Sequence, residues 1–204
     1  MNESTISATQ SGARHRHSGK AAVTLLLSGL ILVLGACQST RSLSDRMESK
    51  YSLKKRKSYI SCTRPEGLSG CPLPVQVPER NYQRMLTWID TAKGIRYRFG
   101  GTAPDGFDCS GFVQYLFSIS YQIQLPRTST DLALLGEIVP RRALQRGDLV
   151  FFSSGGDSID HVGVFLGDER FAHSASREGV RISSLRQSWY ETHFAFGTRV
   201  IRVE

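Results

Sequence analysis

The segment Asp108-Cys109-Ser110-Gly111-Phe112-Val113-Gln114-Tyr115-Leu116-Phe117 constrains the fold more than any other part of this chain. Apolar residues at 109, 112, 113, 116 and 117 mark one face of a helix. Gly100, Gly101, Pro104 and Gly106 forbid a helix just upstream. The helix must therefore start near Asp108, a good N-cap, with Cys109 in its first turn and the thiol on the apolar face. Unpaired N–H groups and the positive end of the helix dipole favour a thiolate there. A neighbouring imidazolium would favour it further, toward pKa values of roughly 3.5–7.5. An inert cysteine filling a helix face is the alternative.

The histidines bear on that choice. His161-Val162-Gly163-Val164-Phe165-Leu166 reads as a strand, Gly167-Asp168 as a turn, and Arg170 to Ser174 as the returning strand. Alternation puts His161 on one face with Gly163 and Phe165, and His173 on one face with Phe171. A hairpin can thus bring both imidazoles together, and Gly163 leaves room for a helix end to approach. The expected roles are those of a cysteine peptidase triad. Cys109 is the nucleophile, His161 the base and later the acid, and His173 the residue that orients His161. Two alternatives stay open: the histidines are structural, or Cys109, His161 and His173 bind zinc. The expectation is no metal and no cofactor, since thiolate and imidazole supply the chemistry. His15, His17 and His193 receive no role.

Ala21 to Leu34 is an uncharged run of 14 residues after Arg14, Arg16 and Lys20. It is short of the roughly 20 residues that span a bilayer, and fits the apolar part of a secretory signal. Leu34-Gly35-Ala36-Cys37 then resembles a lipobox, which implies lipid attachment at Cys37 and a leader over residues 1–36. A plain cleaved signal with a chance cysteine is the alternative. For a Gram-negative source, Gln38 after the cysteine implies the inner leaflet of the outer membrane, facing the periplasm. Residues 37–79 read as a basic, Ser- and Pro-containing tether, either solvated or adhering to anionic lipid or acidic wall polymer. Cys62 and Cys71 enclose eight residues, and an oxidising envelope would permit a disulfide between them, leaving Cys109 free.

The formal charge of +8 sits outside the remaining chain. Residues 1–36 carry +2 and residues 37–64 carry +6, whereas residues 65–204 hold fifteen basic and fifteen acidic side chains. A nucleic-acid face on the folded part is thereby disfavoured, and the chain is read as a monomer. Residues 80–204 form the expected domain. Its first helix runs from Arg80 to Lys93, and Leu149 to Phe152 is a central strand. Val180–Ile182 and Ala195–Val203 are outer strands, with a short helix near Ser188–Glu191 between them.

Five blocks in order resemble the NlpC/p60 family. They are Tyr97-Arg98-Phe99-Gly100-Gly101 with Gly106 to Val113, Leu125-Pro126-Arg127-Thr128, Arg146 to Phe152, His161 to Gly167, and Phe171 to Ser174. The resemblance covers about Arg80 to Arg202. It implies an α+β, papain-like fold, with helices bearing the cysteine packed on an antiparallel sheet bearing the histidines. It maps the nucleophile to Cys109, the base to His161 and the third polar residue to His173. It also implies that Tyr97 and the Cys109 N–H stabilise an oxyanion, and that Ser110 and Asp108 touch substrate, although capping the helix is the preferred role for Asp108. The implied activity is hydrolysis of peptidoglycan stem peptides, with the D-Ala–diaminopimelate crosslink favoured over γ-D-Glu–diaminopimelate. A non-catalytic peptidoglycan-binding lipoprotein and a related thiol amidase or acyltransferase are the competing classes.

Overall fold

The structure, a computed structural model, describes residues 42–64 and 67–204. The leader, Cys37 and the first residues of the expected tether lie outside them. The described residues begin with α1 (Leu43–Ser52), β1 (Tyr59–Arg64), β2 (Gly67–Pro72), β3 (Val75–Val77) and α2 (Glu79–Ala92). It continues through β4 (Thr102–Ala103), β5 (Gly106–Phe107), α3 (Cys109–Tyr121), β6 (Ile123–Gln124), α4 (Ser129–Leu132) and β7 (Glu137–Val139). The remainder is β8 (Leu149–Phe152), β9 (His161–Gly167), β10 (Arg170–Ala175), β11 (Gly179–Ser184), α5 (Ser188–His193), β12 (Phe194–Arg199) and β13 (Ile201–Val203). Among the described residues no helix is long and apolar enough to cross a membrane.

The main sheet is antiparallel, in the order β11-β10-β9-β8-β12-β7. Its two faces bury different sets of side chains. Val162, Val164 and Ala172 join the core that contains Phe112, Val113 and Leu116 of α3. Val150, Phe152, Phe165 and Phe171 join a second cluster with Leu185 and Phe194. Alternation puts the histidines on this second face. The expectation at Gly163 is therefore corrected. A Cβ there would come within 2.7 Å of both the Ala172 carbonyl oxygen and the Phe171 ring, and within 3.2 Å of His173 Cβ. The glycine admits its neighbours on β10, not the helix.

The tether is corrected too, because the chain is folded from Ser42 onward. A capping box starts α1, with Ser42 Oγ accepting the Asp45 N–H and the Asp45 carboxylate accepting the Ser42 N–H. Met47 and Tyr51 are buried, and Tyr51 lies 5.1 Å from the Phe196 ring. The Arg56 guanidinium donates to the carbonyls of Gly136 and Leu135. A disulfide joins Cys62 and Cys71 across β1 and β2, and β1 also pairs with β6 just after α3. With only two core side chains in α1, no apolar period marks it in the sequence. Nor is 195–203 one outer strand. It breaks at Val200, so β12 lies between β8 and β7, whereas β13 pairs in parallel with β3.

Tyr51→Ala tests the folded status of this region. It is expected to cost about 3–5 kcal/mol, as loss of a large buried aromatic does, and urea denaturation measures it. A cost near zero would return the segment to a tether.

Candidate active site

Asp108 places the thiol. Its φ of −87° and ψ of 179° are those of an extended N-cap, and its Oδ1 accepts the Gly111 N–H at 2.7 Å. The other carboxylate oxygen accepts the Gly100 N–H at 3.0 Å, which ties the loop after Tyr97 to the start of α3. Arg127 donates to both oxygens of Asp108. Burial alone would raise the Asp108 pKa, but the bonds from Arg127, Gly111 and Gly100 outweigh it and hold the carboxyl below its ordinary value.

Cys109 is buried and is the free cysteine of the described chain. Its Sγ lies 3.9 Å from the Asp160 carbonyl oxygen, and the Val162 N–H also bonds the sulfur. The thiol thus sits against the backbone on either side of His161, at the start of β9. His161 Nε2 lies 2.8 Å from His173 Nδ1, leaving Nδ1 of His161 as the nitrogen His173 does not use. Cys109, both histidines, Tyr97, Asp160 and Trp189 line one cleft of about 410 Å³. A larger hollow of about 560 Å³, bounded by Arg141, Arg146, Asp168 and Arg202, contains no nucleophile. The two rings address each other rather than a common centre, and among the described residues no cluster of His, Cys, Asp or Glu is arranged for a metal.

The electrostatics run against the thiolate expected from the sequence. Burial pushes the Cys109 thiol up, and the Asp108 charge pushes it further, against the N–H groups of Val162, Ser110 and Cys109. Burial also carries His161 down to about 4, opposed by the Asp160 charge. His173 is lowered by burial, then by His161 and Arg181. Both shifts favour the thiol and the neutral imidazole, because desolvation exceeds the pull of the helix end. Burial and the charges of Cys109 and Asp108 raise the Tyr97 phenol, so it keeps its proton as a donor.

The NlpC/P60 family profile matches residues 94–199. The murein DD-endopeptidase MepS/murein LD-carboxypeptidase of Escherichia coli K12 is 30% identical over 170 residues, covering 83% of this chain and 87% of that one. The chain belongs to the NlpC/P60 family. A probable endopeptidase NlpC homolog of Haemophilus influenzae is 39% identical over 108 residues, 53% of this chain and 57% of its own. An NlpC/P60 family protein from Bacillus cereus superposes with a TM-score of 0.56 at 26% identity, covering 74% of this chain and 53% of that chain. The fold is thus α+β and papain-like, with the cysteine-bearing helix packed on the antiparallel sheet.

Within this NlpC/P60 domain, Ser110 does not stand where substrate contact would need it. It is 5% exposed, its Oγ accepts from Arg127 Nη1 at 2.8 Å, and it lies 3.3 Å from Asp108 Oδ1. Asp108 is likewise committed as a cap. Arg127 stands out in the sequence only as part of a motif, and its bond to Asp108 spans 19 residues that no local pattern links. The loop before His161 is also held by remote groups. Tyr51 Oη accepts the Ile159 N–H, Thr130 Oγ1 donates to the Ile159 carbonyl, and Asp160 accepts from Ser154. Ser174, next to His173, donates to the Phe107 carbonyl at 2.8 Å and so ties β10 to the chain entering α3.

Two measurements follow from these charges. Alkylation of Cys109 by iodoacetamide is expected to rise about tenfold per pH unit from about pH 6 to beyond about pH 9, since only thiolate reacts. A plateau below neutral pH would show a preformed thiolate. For Asp108 the folded pKa is depressed. Its stabilisation is therefore complete above the unfolded value and is lost as pH falls through the folded one. Asp108→Asn should be destabilised at neutral pH, with the gap to wild type closing in acid. Urea titrations at the two pH values report it, and a pH-independent gap would refute the assignment.

Proposed function

We propose that this chain is a cysteine endopeptidase that cuts amide bonds in peptidoglycan stem peptides. The observation that carries the proposal is a lone thiol at a helix tip sharing a cleft with a hydrogen-bonded histidine pair. Relatives named murein DD-endopeptidases supply the substrate class. His161 Nδ1 takes the Cys109 proton as the sulfur attacks the scissile carbonyl carbon. Tyr97 and the Cys109 N–H stabilise the developing oxyanion. His161 then returns the proton to the leaving amine, and water cleaves the thioester by the same route in reverse. His173 holds the His161 ring throughout.

The relatives' names favour the D-Ala–diaminopimelate crosslink over γ-D-Glu–diaminopimelate. The enzyme works as a monomer in the bacterial envelope, attached through lipid on Cys37 to the inner leaflet of the outer membrane. Several lipid chains on one cysteine suffice for stable attachment, where a single chain is marginal. The presence of thiol, base and orienting ring together opposes a binding-only role.

Mass spectrometry of defined crosslinked muropeptides tests the proposal. Wild type should convert dimers to monomers, and Cys109→Ala should lose that turnover entirely. Tyr97→Phe should lower kcat about 10²-fold, the lower end for removing one oxyanion donor. Intact dimers after incubation with folded wild type would refute the endopeptidase, and release of single terminal residues would indicate a carboxypeptidase.

A further inference from the structure

The histidine pair can make its hydrogen bond in two ways with the same geometry. Either His161 Nε2–H donates to His173 Nδ1, or His173 Nδ1–H donates to His161 Nε2. In neutral rings only the first leaves His161 Nδ1 unprotonated and able to receive the thiol proton. The second already has a hydrogen there. A separation of 2.8 Å fits both, so the surroundings of His173 Nε2 must choose between them.

That nitrogen is fully buried, and two hydroxyls reach it. Ser183 Oγ lies at 3.0 Å and the Tyr190 hydroxyl at 3.3 Å. His173 is 0% exposed and Ser183 4%, so water is excluded as a substitute partner. A hydroxyl alone does not discriminate, because it can donate or accept. Here the two hydroxyls also bond each other, and that bond lowers the Tyr190 pKa, so Ser183 donates and the phenol oxygen accepts. With its single proton on Tyr190, Ser183 has only lone pairs to offer Nε2. At 3.0 Å two facing lone pairs would repel, so the ring carries its hydrogen on Nε2 and Ser183 Oγ accepts it. Phe171, 4.7 Å away at 31°, and Tyr190, 5.3 Å away at 81°, hold the imidazole against rotation.

We propose that Ser183 and Tyr190 are positioning residues of the triad: Tyr190 takes the Ser183 proton, Ser183 accepts the His173 Nε2 proton, and the pair so keeps His161 in the tautomer that can deprotonate Cys109. When the thiol proton moves to His161 Nδ1, the Nε2–H of the resulting imidazolium stays on His173 Nδ1. His173, Ser183 and Tyr190 remain neutral, and the proton returns to the leaving amine by the path it came. The proposal rests on the peptidase function above.

The test uses ¹⁵N-labelled protein with Tyr190→Phe, Ser183→Ala, Ser183→Thr and the double variant Ser183→Ala/Tyr190→Phe. NMR of the ring nitrogens reads the tautomers without substrate, and cleavage of crosslinked muropeptide dimers gives kcat and KM. In the double variant His161 should shift toward the Nδ1–H form, and kcat should fall about 10- to 100-fold at unchanged KM. That is short of the roughly 10⁴-fold loss in a serine triad locked in the wrong tautomer. Ser183→Thr, which keeps a hydroxyl, should restore most of the rate. Wild-type tautomers in the double variant, with or without a loss of kcat, would overturn the proposal. Tyr190→Phe removes one oxygen from a half-buried ring, so it keeps the test decisive if the double variant does not fold. Failure of the peptidase function would show as wild-type enzyme without turnover while the tautomer shift persisted.

Discussion

Asp108 is the point on which the rest of the candidate active site is built. Its carboxylate caps α3, fixes Gly100 in the loop that presents Tyr97, and receives Arg127 from the segment after β6. One buried anion thus sets the height of the thiol, the approach of the phenol and the position of the guanidinium. The arrangement is stable because every acceptor position is matched by a donor, which is the condition for burying a charge. It also explains why Ser110 turns inward: its hydroxyl completes the same network.

The same anion works against a thiolate on the next residue. Helix dipole and backbone N–H groups pull Cys109 toward ionisation, while burial and the Asp108 charge push the other way and prevail. The histidines, also desolvated, resist protonation. Both shifts act in the same sense, so the surroundings of the cleft favour the uncharged thiol and the uncharged rings.

Much of this was legible in the sequence, for definite physical reasons. The period of α3 and the glycines before it leave one place for the helix to begin, and a period of two puts His161 and His173 on one side of a hairpin. Parity cannot tell which side faces the helix, because Val162 and Val164 are as suited to one core as Phe165 and Phe171 are to the other. The structure gives the valines to α3, so the thiol meets the backbone at Asp160 and Val162, at the strand's start, rather than the strand's histidine-bearing face. The folded character of α1 was hidden because Met47 and Tyr51 are surrounded by lysine and arginine. Ser183 and Tyr190 were invisible for a different reason. Each is an ordinary polar residue until the fold delivers it to a buried ring nitrogen.

β12 occupies an interior place in the main sheet, between β8 and β7, although it is the last of that sheet's six strands along the chain. Until it pairs, β8 has an open flank and β7 has no neighbour in the sheet. Contacts between segments so far apart in sequence close late. A chain whose β12 is not yet in place would therefore hold β8 from one side only and leave β7 outside the sheet. Seating β12 is the step that closes this sheet, and its loss would unpair both flanking strands at once.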